Sequence, residues 1–177
     1  MNRIICWVYP LLFFSCAAEA LTLNGHFTQG GLVIGGTTAE TIVIFNERKI
    51  RVSPKGTFVI GFNRDAKPIA RLKLIYMNGQ VLHRTLSITK RKYKIEKITG
   101  LPSAKVSPPG KVLARIKFEA ELVSKAREID TPATHFLQNW VWPAKGRISG
   151  VYGSQRVLNG LSKRPHYGID IAAPTGT

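Results

Sequence analysis

The stretch RLKLIYMNGQVLHRTLSI, residues 71–88, decides the fold of the N-terminal half of the chain. Two β-prone runs, residues 71–77 and 80–88, flank the pair Asn78-Gly79. An Asn-Gly pair between such runs is the strongest short-range signal for a β-hairpin, because both residues tolerate a positive φ. The stretch therefore predicts two antiparallel strands joined by a tight turn.

Further short strands are predicted upstream of this hairpin. They are apolar or alternating runs, separated by turn residues such as Pro54-Lys55-Gly56, at residues 32–34, 41–45, 49–52 and 57–62. Several short strands within about seventy residues are typical of a small antiparallel sandwich. We therefore predict a mainly β chain that begins with an immunoglobulin-like β-sandwich over residues 21–89.

A strongly basic segment follows the predicted sandwich. Residues 90–97 contain five Lys or Arg residues and one acid, Glu96. The alternation of Tyr93, Ile95 and Lys97 is compatible with a strand that has one solvated face. Two interpretations stay open: the segment contacts an anionic polymer, or it is a solvated linker.

One helix is predicted between residues 111 and 129. Apolar side chains recur there at helix-like spacing, and neither Pro nor Gly interrupts the pattern. Thr131-Pro132 marks the end of the helix. Residues 90–139 are therefore predicted to be a basic linker with one amphipathic helix, and residues 140–177 to begin another domain.

The first twenty residues have the features of a secretory signal peptide. A cationic start ends at Arg3, an apolar run covers residues 4–14, and Ala18-Glu19-Ala20 forms a small-residue cleavage site. The apolar run is too short to span a membrane. We therefore predict export to the periplasm or cell envelope after cleavage of residues 1–20, and no transmembrane segment in the mature chain. Cys16 leaves processing as a lipoprotein open.

The chain is strongly basic, with 26 Lys and Arg residues against 10 Asp and Glu and a net charge of +16. Loss of residues 1–20 removes one base and one acid and leaves this charge unchanged. Such an excess favours an anionic partner, and export favours anionic envelope polymers over nucleic acid. Both cysteines, Cys6 and Cys16, lie in the leader, so the mature chain is predicted to have no disulfide.

A second informative stretch, RPHYGIDIAAPTGT, occupies residues 164–177. His and Asp side chains bind zinc, and the donor atoms of two ligands on one ion lie roughly 3–3.5 Å apart. A straight strand would separate His166 from Asp170 by about 13 Å. The Gly and the β-branched residues between and after them argue against a helix. The sequence therefore predicts a bend at Gly168 that leads into a short buried strand, residues 169–172. The alternative is a surface histidine beside a turn carboxylate.

Residues 165–177 resemble the first zinc motif of the lysostaphin/LytM-type metallopeptidases, which cut peptide bonds in bacterial peptidoglycan. The motif of that family is His-x-Gly-x-Asp, followed by a small, Pro-containing run that ends in Gly-Thr. Residues 146–156 also resemble the opening strand and turn of the family. The resemblance covers residues 140–177, about a fifth of the chain.

The resemblance implies that residues 140–177 are the truncated start of an all-β catalytic domain. It implies that His166 and Asp170 bind Zn²⁺ together with a later His, and that the catalytic residues lie beyond Thr177. The fragment by itself would be inactive. The full-length protein would be a secreted or periplasmic zinc metalloendopeptidase, a hydrolase that cleaves the peptide cross-links of peptidoglycan.

Two other functions stay open. Some LytM-type domains have lost zinc ligands and act as non-catalytic activators of cell-wall amidases, whereas this chain keeps His166 and Asp170. A cationic envelope-binding module would fit the charge but would leave the motif unexplained. The remaining histidines have no ligand partner nearby in sequence and are predicted to be structural or surface residues: His26, His83 and His135.

Overall fold

The computed structural model describes residues 21–107 and 109–177. The predicted signal peptide, residues 1–20, lies outside the described residues. Within the described ranges, no helix combines the length and the apolar character that are needed to cross a membrane. The fold of these ranges is mainly β, as predicted, with a single helix longer than one turn.

Seven strands form the N-terminal part: β1 (Thr22–Gly25), β2 (Leu32–Gly36), β3 (Ile42–Phe45), β4 (Arg48–Ile50), β5 (Thr57–Gly61), β6 (Ile69–Ile75) and β7 (Val81–Ser87). The strand order is β1-β2-β5 in one sheet and β4-β3-β6-β7 in the other. All neighbouring strands in these sheets are antiparallel. Two such sheets that share one core form the predicted immunoglobulin-like sandwich.

The core of the sandwich follows from the alternation of side chains along the strands. In β6, Ala70, Leu72 and Leu74 are buried, whereas Arg71 between them is exposed. Strand β5 of the other sheet contributes Phe58 and Ile60 from the opposite side. One cluster of buried side chains results: Val33, Val43, Phe58, Ile60, Phe62, Ala70, Leu72, Leu74, Tyr76, Leu86 and Ile88.

The β6–β7 hairpin is confirmed, but its turn differs from the two-residue Asn-Gly type. The Gly79 N–H donates to the Tyr76 carbonyl at 3.0 Å, and Gly79 has a φ of +84°, whereas Asn78 stays outside the positive-φ region. The Oδ1 of Asn78 instead accepts a hydrogen bond from the Gln80 N–H at 2.9 Å. The loop is therefore the three-residue kind that places a glycine in the left-handed region.

A strained turn joins β3 to β4. Asn46 and Glu47 have φ values of 43° and 69°. A two-residue hairpin turn with both central residues at positive φ normally has Gly at the second position. Glu47 adopts this conformation against the steric preference of an L-residue, so we expect strain at this position.

Five short strands follow: β8 (Ile95–Ile98), β9 (Arg147–Gly150), β10 (Gln155–Leu158), β11 (Leu161–Ser162) and β12 (Asp170–Ala172). They form one sheet of order β11-β10-β8 and a second sheet that pairs β12 with β9. Strand β8 lies in the basic segment predicted as a linker, and it pairs in parallel with β10. The basic segment is thus part of the C-terminal sheet.

The β10–β11 turn also ties the basic segment to the C-terminal part of the chain. It consists of Asn159 and Gly160, with φ values of 47° and 84°. The Asn159 side chain accepts a hydrogen bond from the Leu101 N–H at 3.1 Å and donates to the Leu101 carbonyl at 2.7 Å. One asparagine therefore forms the hairpin turn and holds the chain that leaves β8.

The predicted helix is α2 (Gly110–Arg127), which follows the single-turn helix α1 (Ser103–Val106). None of the residues of α2 is buried, so its apolar side chains stay exposed. An ion pair between Arg51 and Asp130, just beyond the helix, connects it to the sandwich. The Arg51 guanidinium holds the pKa of the Asp130 carboxyl below its ordinary value, chiefly through their hydrogen bond.

We predict that residues 21–89 fold on their own, because every member of the core cluster lies between residues 33 and 88. A recombinant fragment of residues 21–89 should unfold in one cooperative transition when circular dichroism is followed during urea titration. A gradual loss of signal without a transition would show that the sandwich requires the C-terminal residues.

We predict that Glu47→Gly stabilises the sandwich by about 0.5–1 kcal/mol, because glycine removes the strain at positive φ but gains entropy in the unfolded chain. For a domain of this size the melting temperature should rise by roughly 2–8 °C. The matched control is Glu47→Gln, which removes the charge and keeps the Cβ. An equal rise in both variants would assign the effect to charge and contradict the strain at this turn.

Candidate metal centre

His166 and Asp170 lie next to each other in the C-terminal part of the chain. The Nε2 atom of His166 lies 3.3 Å from the Oδ1 atom of Asp170. Two donor atoms bound tetrahedrally to one zinc ion lie about 3.3–3.5 Å apart, because each is about 2.0–2.2 Å from the metal. The two side chains are therefore placed as two ligands of one zinc ion would be.

The chain reaches this arrangement through a bend at Gly168 followed by β12, as predicted. The bend does not depend on a glycine conformation, since Gly168 has no positive φ and a Cβ there would make ordinary contacts. The strand was also predicted to be buried, and this is wrong: Ile169 is 54% exposed and Ile171 is only half-buried. The reason is that β12 belongs to a sheet of just two strands.

The backbone of His166 is held from both sides by one turn. The His166 N–H donates to the Ser154 carbonyl at 2.8 Å, and the Gly153 N–H donates to the His166 carbonyl at 2.7 Å. The Nε2 atom of His166 is buried without a hydrogen-bond partner among the described residues, because Asp170 approaches it without hydrogen-bond geometry. An orphaned buried nitrogen is unfavourable, and a metal ion shared with Asp170 would satisfy it.

Gly150 in β9 makes room for the carboxylate of Asp170. The two residues are paired across β9 and β12, and the register shifts immediately after Asp170. Such an irregularity re-aims a side chain relative to a regular strand. A Cβ at Gly150 would lie 2.4 Å from Asp170 Oδ2, so the carboxylate occupies space that only a glycine leaves free.

A cleft of about 940 Å³ opens beside the two candidate ligands. Five basic residues line it: Lys94, Arg127, Arg156, Lys163 and Arg164. Two acidic residues, Glu96 and Asp170, line it as well. Glu96 is already paired with Lys94 at 2.7 Å and with Arg156 at 3.5 Å. These cations, Lys94 foremost, hold the pKa of the Glu96 carboxyl below its ordinary value. The cleft therefore has an excess of positive charge, which favours an anionic ligand.

A row of aromatic side chains leads from the basic segment, residues 90–97, to the cleft. The ring centroids of Tyr93 and Tyr152 lie 6.5 Å apart, and those of Tyr152 and Tyr167 lie 6.0 Å apart. The Arg164 guanidinium lies over the Tyr167 ring at 5.2 Å from its centroid. Contacts of this kind hold an arginine beside the cleft while its donors stay available to a ligand.

No third ligand joins the pair in the part of the chain that the structure describes, where no group of three or more His, Cys, Asp or Glu side chains could hold one ion. The other three histidines are exposed, and none of them lines the cleft: His26, His83 and His135.

The motif in residues 165–177 identified His166 and Asp170, but it did not identify the residues that hold these two side chains in place. Gly150 and Ser154 lie within residues 146–156, and their resemblance to the opening strand of the family was the only signal available for them. Nothing in the sequence showed that a glycine opposes Asp170 or that the backbone of His166 bonds to this turn, because both contacts depend on strand pairing.

Comparison with protein-family models and with curated proteins found no match for this chain.

We predict that Gly150→Ala displaces the Asp170 carboxylate and leaves the fold intact, since the colliding atom is the end of a flexible side chain. Zinc binding by the 177-residue chain, followed by NMR titration, should weaken about tenfold, as for residues that orient a ligand. The control is Gly110→Ala, where a Cβ meets no atom within 4 Å. Unchanged zinc binding in a Gly150→Ala protein whose Asp170 resonances have shifted would exclude the Asp170 carboxylate as a ligand.

Proposed function

We propose that this chain is part of an exported zinc metalloendopeptidase that hydrolyses the peptide cross-links of bacterial peptidoglycan. The observation that carries the proposal is the 3.3 Å separation of His166 Nε2 and Asp170 Oδ1. It is the distance expected of two donors on one zinc ion, and the motif that contains both residues resembles the first zinc motif of the LytM-type family.

The two residues fit zinc in donor chemistry as well as in distance. An imidazole nitrogen and a carboxylate oxygen are both common zinc ligands, and the buried Nε2 of His166 needs a partner. A zinc ion held there would act as a Lewis acid on the scissile carbonyl and lower the pKa of water. The further His ligand and the catalytic His are those that the family resemblance places after Thr177.

The residues of this chain would also bind and orient the substrate. Arg127 and Arg164 line the cleft and form no ion pair with an acidic residue in the described ranges. They could therefore bind the free carboxylates of a peptide substrate, with Arg164 held over Tyr167. Since the cleft also contains His166 and Asp170, a peptide bound by these arginines would lie beside the candidate metal ligands.

We predict that the full-length protein binds one zinc ion per chain, and that His166→Ala and Asp170→Ala each abolish both zinc binding and peptidoglycan hydrolysis. Losing one of so few ligands removes most of the affinity of a zinc site. Zinc content after dialysis and release of soluble muropeptides would be measured together.

The matched control is His83→Ala, which removes an exposed histidine from β7 and should change neither quantity. Zinc content at the wild-type level in His166→Ala would contradict the assignment of the ligand. A wild-type protein that stimulates an amidase without binding zinc would contradict the proposed hydrolase and support the non-catalytic activator.

A further inference from the structure

We infer that Arg64, a residue of the sandwich, is a positioning residue for the candidate metal ligand His166. The inference rests on the proposed function only in that His166 is taken as a ligand. It assigns a role to the N-terminal sandwich, because a side chain of one part of the fold would hold the site in the other part.

The Arg64 guanidinium is fixed by contacts in several directions. Its side chain is only 11% exposed although it follows β5 in a surface loop. Its Nε–H donates to the Gly153 carbonyl at 2.8 Å, and its Nη2 donates to Gln155 Oε1 at 3.4 Å. The guanidinium carbon also lies 4.6 Å from the centre of the Tyr93 ring. A group bound on so many sides has little freedom to move.

Two hydrogen bonds of Arg64, to Gly153 and to Gln155, lead to the loop that carries His166. The Gly153 carbonyl is bonded to Arg64, while the Gly153 N–H donates to the His166 carbonyl. Gln155, the second partner of Arg64, donates through its Nε2 to the Lys163 carbonyl at 2.7 Å. The loop of residues 163–166 is therefore attached to Arg64 at both of its ends, in each case through one intervening residue.

The steric fit at this contact is close. Gly153 is buried at a φ of +86°, and a Cβ on it would lie 2.1 Å from the Tyr93 ring. Gly30 of the sandwich has a φ of +74°, and a Cβ on it would lie 2.6 Å from the Tyr152 ring. Two glycines, one from each part, thus let the turn approach the sandwich closely enough for Arg64 to reach it.

A purely structural role for Arg64 within the sandwich does not account for these contacts. The core cluster of the sandwich contains neither Arg64 nor any residue after Ile88. The one acid that Arg64 pairs with, Asp65, is its own neighbour and is 70% exposed. Apart from that pair, the polar contacts of Arg64 go to the C-terminal part of the chain, so its loss should loosen His166 and spare the sandwich.

The test compares Arg64→Ala with the wild-type 177-residue chain by NMR. In Arg64→Ala the amides of Gly153 and His166 should exchange with solvent about tenfold faster, since both donate bonds that hold the loop. The His166 imidazole resonances should broaden or shift, and half-saturation with zinc should require about tenfold more metal. Amide exchange in the β6–β7 hairpin should stay unchanged.

Three further variants make the test specific. Arg84→Ala removes an exposed arginine from β7 and should change none of these readouts. Arg64→Lys keeps the charge but replaces the two donor nitrogens that bond to Gly153 and Gln155 with a single ammonium nitrogen, so it should rescue only part of the loss. Gln155→Ala should loosen the Lys163 end of the loop without any change of charge, because it removes the link between Arg64 and the Lys163 carbonyl.

The outcomes separate this inference from the proposed function. If the amide exchange rates and the His166 imidazole resonances of Arg64→Ala equal those of the wild type, the positioning role is overturned, even if zinc binds to His166. Faster exchange across the sandwich as well would also overturn it, because Arg64 would then act on overall stability. If the loop loosens as expected but the wild-type full-length protein binds no zinc, Arg64 still positions the loop of His166, but His166 is not a metal ligand and the proposed enzyme fails.

Discussion

The burial of apolar side chains between the two sheets of the sandwich is the interaction on which the remaining structure depends. In the described ranges twelve apolar residues are buried, and eleven of them belong to this one cluster. Fully burying a side chain of this kind contributes about 1.5–3 kcal/mol. The C-terminal sheets have three and two strands and bury almost nothing, and sheets of this size require packing against another element to be stable.

The C-terminal part is therefore held to the sandwich by polar and aromatic contacts. The Arg64 bond to the Gly153 carbonyl is a directional contact, and the Tyr152 ring lies close against Gly30. Contacts of this type fix geometry more than they add stability, since an individual hydrogen bond contributes about 0.5–1.5 kcal/mol. The turn that they fix is the one that bonds to the backbone of His166, so geometry at the candidate metal centre depends on the sandwich.

The charges around the candidate metal centre have opposite effects on the binding of a metal ion and of an anionic ligand. Positive side chains in the cleft oppose the binding of a divalent cation and favour an anionic ligand. Asp170 is the one acid in the lining without a Lys or Arg partner, since Glu96 is paired with Lys94 and Arg156. Under the proposed function, the carboxylate of Asp170 would attract the metal ion, and the arginines would attract an anionic substrate.

The sequence by itself determined those features that depend on neighbours in the chain. Alternating side chains located β3, β5, β6 and β7 to within about two residues, helical spacing located α2, and the motif placed His166 and Asp170 together through the bend at Gly168. These features follow from local backbone preferences and from the periods of strand and helix.

Only the tertiary structure decided the contacts between residues far apart in sequence. The parallel pairing of β8 with β10, the glycine opposite Asp170 and the reach of Arg64 to Gly153 join segments that are not adjacent in the chain, and no local pattern encodes them. The geometry of the two Asn-Gly turns also depends on the tertiary structure. The pair Asn78-Gly79 forms a three-residue loop, whereas Asn159-Gly160 forms the two-residue turn, because the pairing of the flanking strands determines which φ values each asparagine adopts.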